Sequence, residues 1–203
     1  MRKITSEFEN PIDDKILNIC DIFVEPLKIY KITPNQITIT RIIMSFYILD
    51  KFLFNCDIII PMVGTILFYF FDCLDGHFAR GTNQVTILGD YLDHFGDIFY
   101  DLVLIYGFII KNFMYKNEIG TIMTILYYLS FVHLGLQQKI YAKLRNKKNN
   151  NELLDLLNYL HPFTEKNIYM TKYFGTGSLT LFKIIVIYWI QINHYHQIFK
   201  LLH

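Results

Sequence analysis

The stretch "FDCLDGHFARGTNQVTILGDYLDHFGD", residues 71–97, sets five carboxylates (Asp72, Asp75, Asp90, Asp93 and Asp97) between two strongly apolar runs. The surrounding chain is 53% hydrophobic, 17% aromatic and only 18% charged, with a mean hydropathy of +0.28. A soluble domain carries roughly a quarter charged residues. This composition therefore predicts an all-α, polytopic membrane bundle, and acids inside such a bundle are costly enough to mark a site.

Working outward, four long apolar segments are predicted as helices at about 36–54, 58–80, 86–111 and 119–142. Each is long enough to cross a hydrocarbon core of about 30 Å. The connections "NCD", "RGTNQ" and "KNFMYKNE" are short, so neighbouring helices run antiparallel. A polar loop, "KLRNKKNNNE", covers 143–152. Residues 153–173 are too polar for a clear span. "FGTGS" (174–178) breaks the chain before a last apolar helix at about 178–199. The expectation is five to six transmembrane helices in a single domain over 1–203, with 36–199 as the bundle and 1–35 as a cytoplasmic or interfacial segment. Within that segment Ile16, Ile19, Cys20 and Phe23 fall at helical spacing, which suits either an amphipathic helix lying at an interface or an ordinary surface helix. "TPNQIT" supplies the next helix start, with Asn35 as a candidate cap.

Lysine and arginine set the orientation. Segments 1–35, 80–85 and 143–150 hold ten of them, including Arg2, Lys3, Lys28, Arg80 and Lys143. The opposite ends of the first four spans keep Lys51, Lys111 and Lys116. The N-terminus and the acidic stretch are thus expected on the cytoplasmic side. A net charge of +1 and the lack of a long basic run argue against nucleic-acid binding. Cys20, Cys56 and Cys73 are scattered, and their spacing suits neither a disulfide framework nor a zinc site.

On a helical wheel Asp72, Asp75, Gly76 and Ala79 share an arc of roughly 100°, with Arg80 at its edge. Gly89, Asp93 and Asp97 succeed one another at i+4 and form one stripe. A tight "RGTNQ" turn brings the two faces together, so four carboxylates and a guanidinium converge. An isolated aspartate at a helix end is usually just solvated. Four together need counter-charge, and an all-oxygen donor set suits Mg²⁺ or Mn²⁺, with two ions balancing four carboxylates. Two such ions clamp the attacking and leaving oxygens in phosphoryl transfer. The small residues let phosphates approach the backbone, and Arg80 offers them a cation.

The spacing Asp72-x-x-Asp75-Gly76-x-x-Ala79-Arg80, then Gly89-x-x-x-Asp93-x-x-x-Asp97, resembles the signature of the CDP-alcohol phosphatidyltransferases, with every signature position filled. The resemblance implies an integral membrane enzyme, usually of six helices and often a homodimer. Such an enzyme displaces CMP from a CDP-linked lipid or CDP-alcohol by an alcohol acceptor, using Mg²⁺ or Mn²⁺. It implies Asp72, Asp75, Asp93 and Asp97 as metal ligands, Asp97 also as the base, and Gly76, Ala79, Arg80 and Gly89 around the CDP moiety. The implied function is phospholipid biosynthesis, with phosphatidyl transfer from CDP-diacylglycerol as the leading direction. Transfer from CDP-choline or CDP-ethanolamine to diacylglycerol is the alternative. An acidic-site ion transporter and an inactive lipid-binding relative are readings from other classes.

Other polar residues fall outside the signature. Arg41, one turn into the first span, shows no acidic partner nearby in sequence and is a candidate either for binding a phosphate on the acceptor or for snorkelling to the headgroups. Asp101 extends the acidic stripe, and His94 lies off it. His133, Gln137 and Gln138 add polarity to the fourth span and are candidates for substrate contact, while Lys183 and Trp189 suit interfacial anchors.

Overall fold

A computed structural model describes residues 2–55, 57–111, 117–144 and 164–202. Seven α-helices and one short 3-10 turn make up the regular structure of these residues, and no strand occurs among them. They are α1 (Pro11–Ile29), α2 (Pro34–Phe54), α3 (Ile59–Gly81), α4 (Ile87–Ile110), α5 (Asn117–Leu144), α6 (Glu165–Thr171) and α7 (Thr176–Leu202), with the turn at Lys172–Phe174. The all-α class is as the sequence predicts. Of the ambiguous stretch 153–173, the described part is α6 and the turn. The rest, like most of the 143–152 loop, lies outside the described residues.

Helix limits follow local chemistry. In α1, Asn10 caps the backbone N–H groups of Ile12 (3.0 Å) and Asp13 (3.5 Å), and Pro11 stands at the first position, where no N–H is needed. The cap of α2 is Thr33 and not Asn35. Because Pro34 has no N–H to donate, it opens the helix, and Thr33 before it forms a reciprocal capping box with Gln36 (3.3 and 2.8 Å). Asn35 is left one residue inside the helix.

Among the described residues, three helical stretches are long and apolar enough to cross a membrane: Ile59–Gly81, Ile119–Tyr141 and Lys166–His194. Helices α2 and α4 have the length, at 21 and 24 residues, but each is interrupted by charge: Arg41, Asp50 and Lys51 in one, four aspartates in the other. Large apolar side chains such as Ile43, Phe46, Leu67, Ile98, Leu102, Ile125 and Leu181 point outward. A bundle in lipid presents such a surface.

The main core joins α2, α3, α4, α5 and α7 through Ile48, Phe52, Phe68, Tyr100, Leu104, Phe108, Met123 and Ile187. Gly64 and Gly107 allow the close approaches, since a Cβ on either would run into Ile48 or Phe52. A second cluster seats α1 on α3 through Cys20, Leu74 and Phe78, with Ile37 of α2. Of the apolar positions expected on one face of α1, Cys20 is buried there and Ile16 packs beside it, whereas Ile19 and Phe23 stay exposed.

Two polar knots fix the ends of the bundle. Near the start of α7, Asn10 donates to Lys172 O (2.6 Å) and Ser178 Oγ (2.9 Å), and the Asp13 carboxylate accepts from Tyr69 Oη and the Gly177 N–H. At the far end the fully buried Gln191 amide donates to Asp57 O (2.8 Å) and, at 3.4 Å each, to Phe52 O and Asn55 O, and it accepts from Lys111 Nζ (2.8 Å). Orphan carbonyls at the end of α2 are thereby satisfied by a side chain from α7.

Candidate functional site

The antiparallel pair α3 and α4, joined by residues 82–86, sets the two acidic faces opposite each other, and α2 packs across both. Thr86 caps α4 through the Gly89 N–H (3.0 Å), which fixes where the stripe of Gly89, Asp93 and Asp97 begins. Asp72, Asp75 and Asp93 then offer carboxylate oxygens that all lie within 4.8 Å of one another. Asp75 is the most enclosed, at 4% exposure, and accepts from Thr38 Oγ1 at 2.7 Å. Asp97 falls outside this trio. It sits one turn further along α4, about 6 Å by helical rise.

The sequence shows no acidic neighbour for Arg41; the fold supplies three. Its guanidinium is fully buried at the centre of the acids. Nη1 donates to Asp72 Oδ1 and to Asp97 Oδ1 (2.8 Å), and Nη2 donates to Asp93 Oδ1 (2.9 Å) and to Asp93 O (3.2 Å). The ring of Phe68 lies 4.8 Å from its Cζ. Room comes from Gly96, where a Cβ would stand 3.2 Å from Nη2. The partners lie 31 to 56 residues away in sequence, beyond the reach of any local pattern.

Beside the acids a cleft of about 170 Å³ opens. Gly76, Ala79, Arg80 and Gly89 line it together with Asp75 and Asp93, whereas Asp72 and Asp97 are not among its lining residues. A Cβ on residue 76 would lie 2.9 Å from Arg80 Nη1, so glycine there lets the arginine fold back along α3. A Cβ on residue 89 would lie 2.7 Å from Asn35 Oδ1. Asn35, displaced from the cap position, thus faces the cleft from α2. Gln138 and Tyr141 of α5, Asp90 and His94 of α4, and Lys3 also line it. His94 Nδ1 is 3.8 Å from Asp93 Oδ2. Sequence reasoning missed Asn35 and Lys3. The signal for Asn35 was the proline before it, which moves the cap back to Thr33; for Lys3 no local signal exists.

The remaining candidates lie elsewhere. Lys183 is no interfacial anchor: at 7% exposure it is enclosed in the bundle, bonded to Asp101 Oδ1 (2.6 Å) and set over the Tyr127 ring at 5.1 Å. The physical reason is that an ammonium inside the bundle needs a counter-charge, which Asp101 supplies. His133 and Gln137 are buried away from the cleft lining. Gln137 bonds Glu9 (2.5 Å) and His133, and His133 bonds Thr171 (3.2 Å).

The profile described as CDP-alcohol phosphatidyltransferase matches residues 31–191. The chain belongs to that family. No curated protein and no solved structure matches it. Members of the CDP-alcohol phosphatidyltransferase family are membrane-bound, generally metal-dependent transferases of phospholipid biosynthesis, and the three apolar stretches here fit a membrane protein. The site fits such a metal. Its donors are all carboxylate oxygens, they are within reach of one point, and they outnumber the one buried guanidinium among them.

Proposed function

We propose that this chain is a multi-pass membrane phosphotransferase that moves a substituted phosphate from a CDP-linked donor to an alcohol and releases CMP, with phosphatidyl transfer from CDP-diacylglycerol as the leading direction. The observation that carries the reading is the convergence of Asp72, Asp75 and Asp93 within 4.8 Å beside the cleft lined by Gly76, Ala79, Arg80 and Gly89. The whole of 1–203 acts as one unit of five to six spans, with residues 1–35 at the cytoplasmic interface, where the cleft opens.

In this mechanism Asp72, Asp75 and Asp93, with Asp97 beside them, would hold two Mg²⁺ or Mn²⁺ ions. When bound, the ions neutralise the diphosphate and polarise the phosphorus under attack. The backbone at Gly76 and Gly89 lets the nucleotide approach, and Arg80 donates to its phosphate oxygens. Asp97 takes the proton from the acceptor hydroxyl as that oxygen bonds to the β-phosphorus. The bond from β-phosphorus to the bridging oxygen breaks, and the electron pair leaves with CMP. Arg41, whose donors already point at Asp72, Asp93 and Asp97, orients the carboxylates, and this geometry favours that role over binding an acceptor phosphate.

The test is CMP release by the purified chain in lipid nanodiscs, with CDP-diacylglycerol against a panel of polar alcohols and with CDP-alcohols against diacylglycerol. One pair is expected to turn over, and excess EDTA to stop it. Release that persists in EDTA, or none with any pair, defeats the proposal.

A further inference from the structure

Residues 2–10 precede the part of the chain that matches the family, yet Lys3 among them lines the cleft. Ile4, at 3% exposure, is packed between α5 and α6 against Val132, Leu136 and Ile168. Arg2 bonds the Asp14 carboxylate and Asn18 Oδ1 (2.6 Å). Glu9 is held by Gln137. Anchored on both sides, Lys3 has little freedom, and it lines the cleft with Gly76, Arg80 and Gly89.

Among the described residues Lys3 makes no hydrogen bond and no ion pair. Burial first, and then the positive charge of Arg80, hold its ammonium below the usual lysine pKa, against the raising pull of Asp93 and Asp72. Two cations thus share one small cleft, and one has no donor contact. A partly desolvated ammonium costs free energy unless an anion meets it. A phosphate oxyanion between Lys3 and Arg80 would relieve both the desolvation and the repulsion. The carboxylates of Asp72, Asp75 and Asp93 are already bonded to Arg41 or Thr38, and no carboxylate among the described residues, Asp90 of the same cleft included, is paired with Lys3.

We propose that Lys3, delivered by this anchored segment, is a phosphate-binding residue of the cleft, contacting a phosphate oxygen of the substrate across from Arg80. The proposal rests on the functional reading above. The shared chemistry is a phosphate oxyanion; it comes either from the diphosphate of the CDP-linked donor or from a phosphorylated acceptor.

The experiment uses the full chain in nanodiscs with Mn²⁺, comparing Lys3→Gln and Lys3→Arg with the unaltered protein. Calorimetric titration with CDP and with cytidine tests the donor arm. If the donor supplies the phosphate, Lys3→Gln weakens CDP about ten-fold, Lys3→Arg stays within about three-fold, and cytidine binding does not change. If the acceptor supplies it, CDP binding is unchanged, and KM rises about ten-fold for a phosphorylated alcohol but not for a phosphate-free one. Either result supports the proposal. Unchanged CDP affinity with unchanged KM for both alcohols overturns it, as does equal weakening of CDP and cytidine by both variants. The CDP-to-cytidine contrast is measurable even if the unaltered protein releases no CMP, so failure of the functional reading is told apart from failure of this one.

Discussion

Arg41 and Asp93 are joined twice: one guanidinium nitrogen, Nη2, donates to both the carboxylate (2.9 Å) and the backbone carbonyl (3.2 Å) of the same residue. A helix interior carbonyl seldom receives a side chain from a neighbouring helix. Here it locks the rotation of α4 against α2, and so fixes where Asp93 and Asp97 point.

Removing that guanidinium leaves acids without their internal counter-charge. Arg41→Met is expected to destabilise the fold by about 3 kcal/mol, the low end for a broken buried pair because Asp93 and Asp97 are partly exposed. Thermal unfolding in EDTA measures it. The loss should shrink when Mn²⁺ is added, and a melting temperature equal to that of the unaltered chain would refute the charge-balancing role.

The three clustered acids are not equivalent to the fourth. Asp72→Asn, Asp75→Asn and Asp93→Asn should each weaken Mn²⁺ binding, read from the free-ion spectrum, by at least about ten-fold. Asp97→Asn should weaken it less, since its carboxylate lies outside the trio. Equal losses at all four positions would contradict the geometry.

Asp97 is tested by turnover. Asparagine keeps the size and one oxygen but removes the charge and most of the basicity. CMP release should fall by at least ~10², the usual share of a positioned general base, with CDP affinity within about ten-fold of normal. Near-normal turnover would remove Asp97 from the role of base.

Burial holds Asp13 at a pKa of about 7, above the model-compound 3.8, despite hydrogen bonds from Tyr69 and Gly177 that pull it down. Its folded pKa being raised, it favours the folded state below about pH 4, and this contribution is lost as pH rises towards and through 7. Glu9, raised by burial too, acts in the same direction. The melting temperature should therefore drop between pH 5 and pH 8, and Asp13→Asn should flatten much of that drop. An equally steep drop in the variant would show that Asp13 is not its source.

Orientation is open to labelling. With Cys20, Cys56 and Cys73 replaced, single cysteines at Asp50 and Gln84 should react from opposite faces of sealed vesicles, Gln84 from the cytoplasmic one. Reaction of both from one face would break the proposed arrangement of α2, α3 and α4.

The sequence carries some of these features and not others, for physical reasons. Helix limits were legible because apolar runs are local: the second apolar segment, expected at 58–80, is the helix Ile59–Gly81. The acidic faces were legible because i+3 and i+4 spacings place side chains on one side of a helix. Arg41 was not, because its partners arrive from two other helices. Lys183 was misjudged for the same reason, its counter-charge Asp101 being 82 residues away. Lys3 depends on Ile4 finding a pocket between α5 and α6, which no local spacing encodes.

Gln191 has a mechanical consequence. Its one amide gathers the end of α2, the α2–α3 connection and Lys111 beyond α4 onto α7, so that end of the bundle works as a hinge pin. Arg41 stands 11 residues from Phe52 along α2, a lever of about 17 Å at 1.5 Å per residue. A tilt of about 5° around the pin would displace the guanidinium by about 1.5 Å at that radius, enough to lengthen its hydrogen bonds to the acids well beyond about 3 Å. Any tilt of α2 about that pin would thus be felt most at Arg41 and the acids it bonds, and least at Phe52.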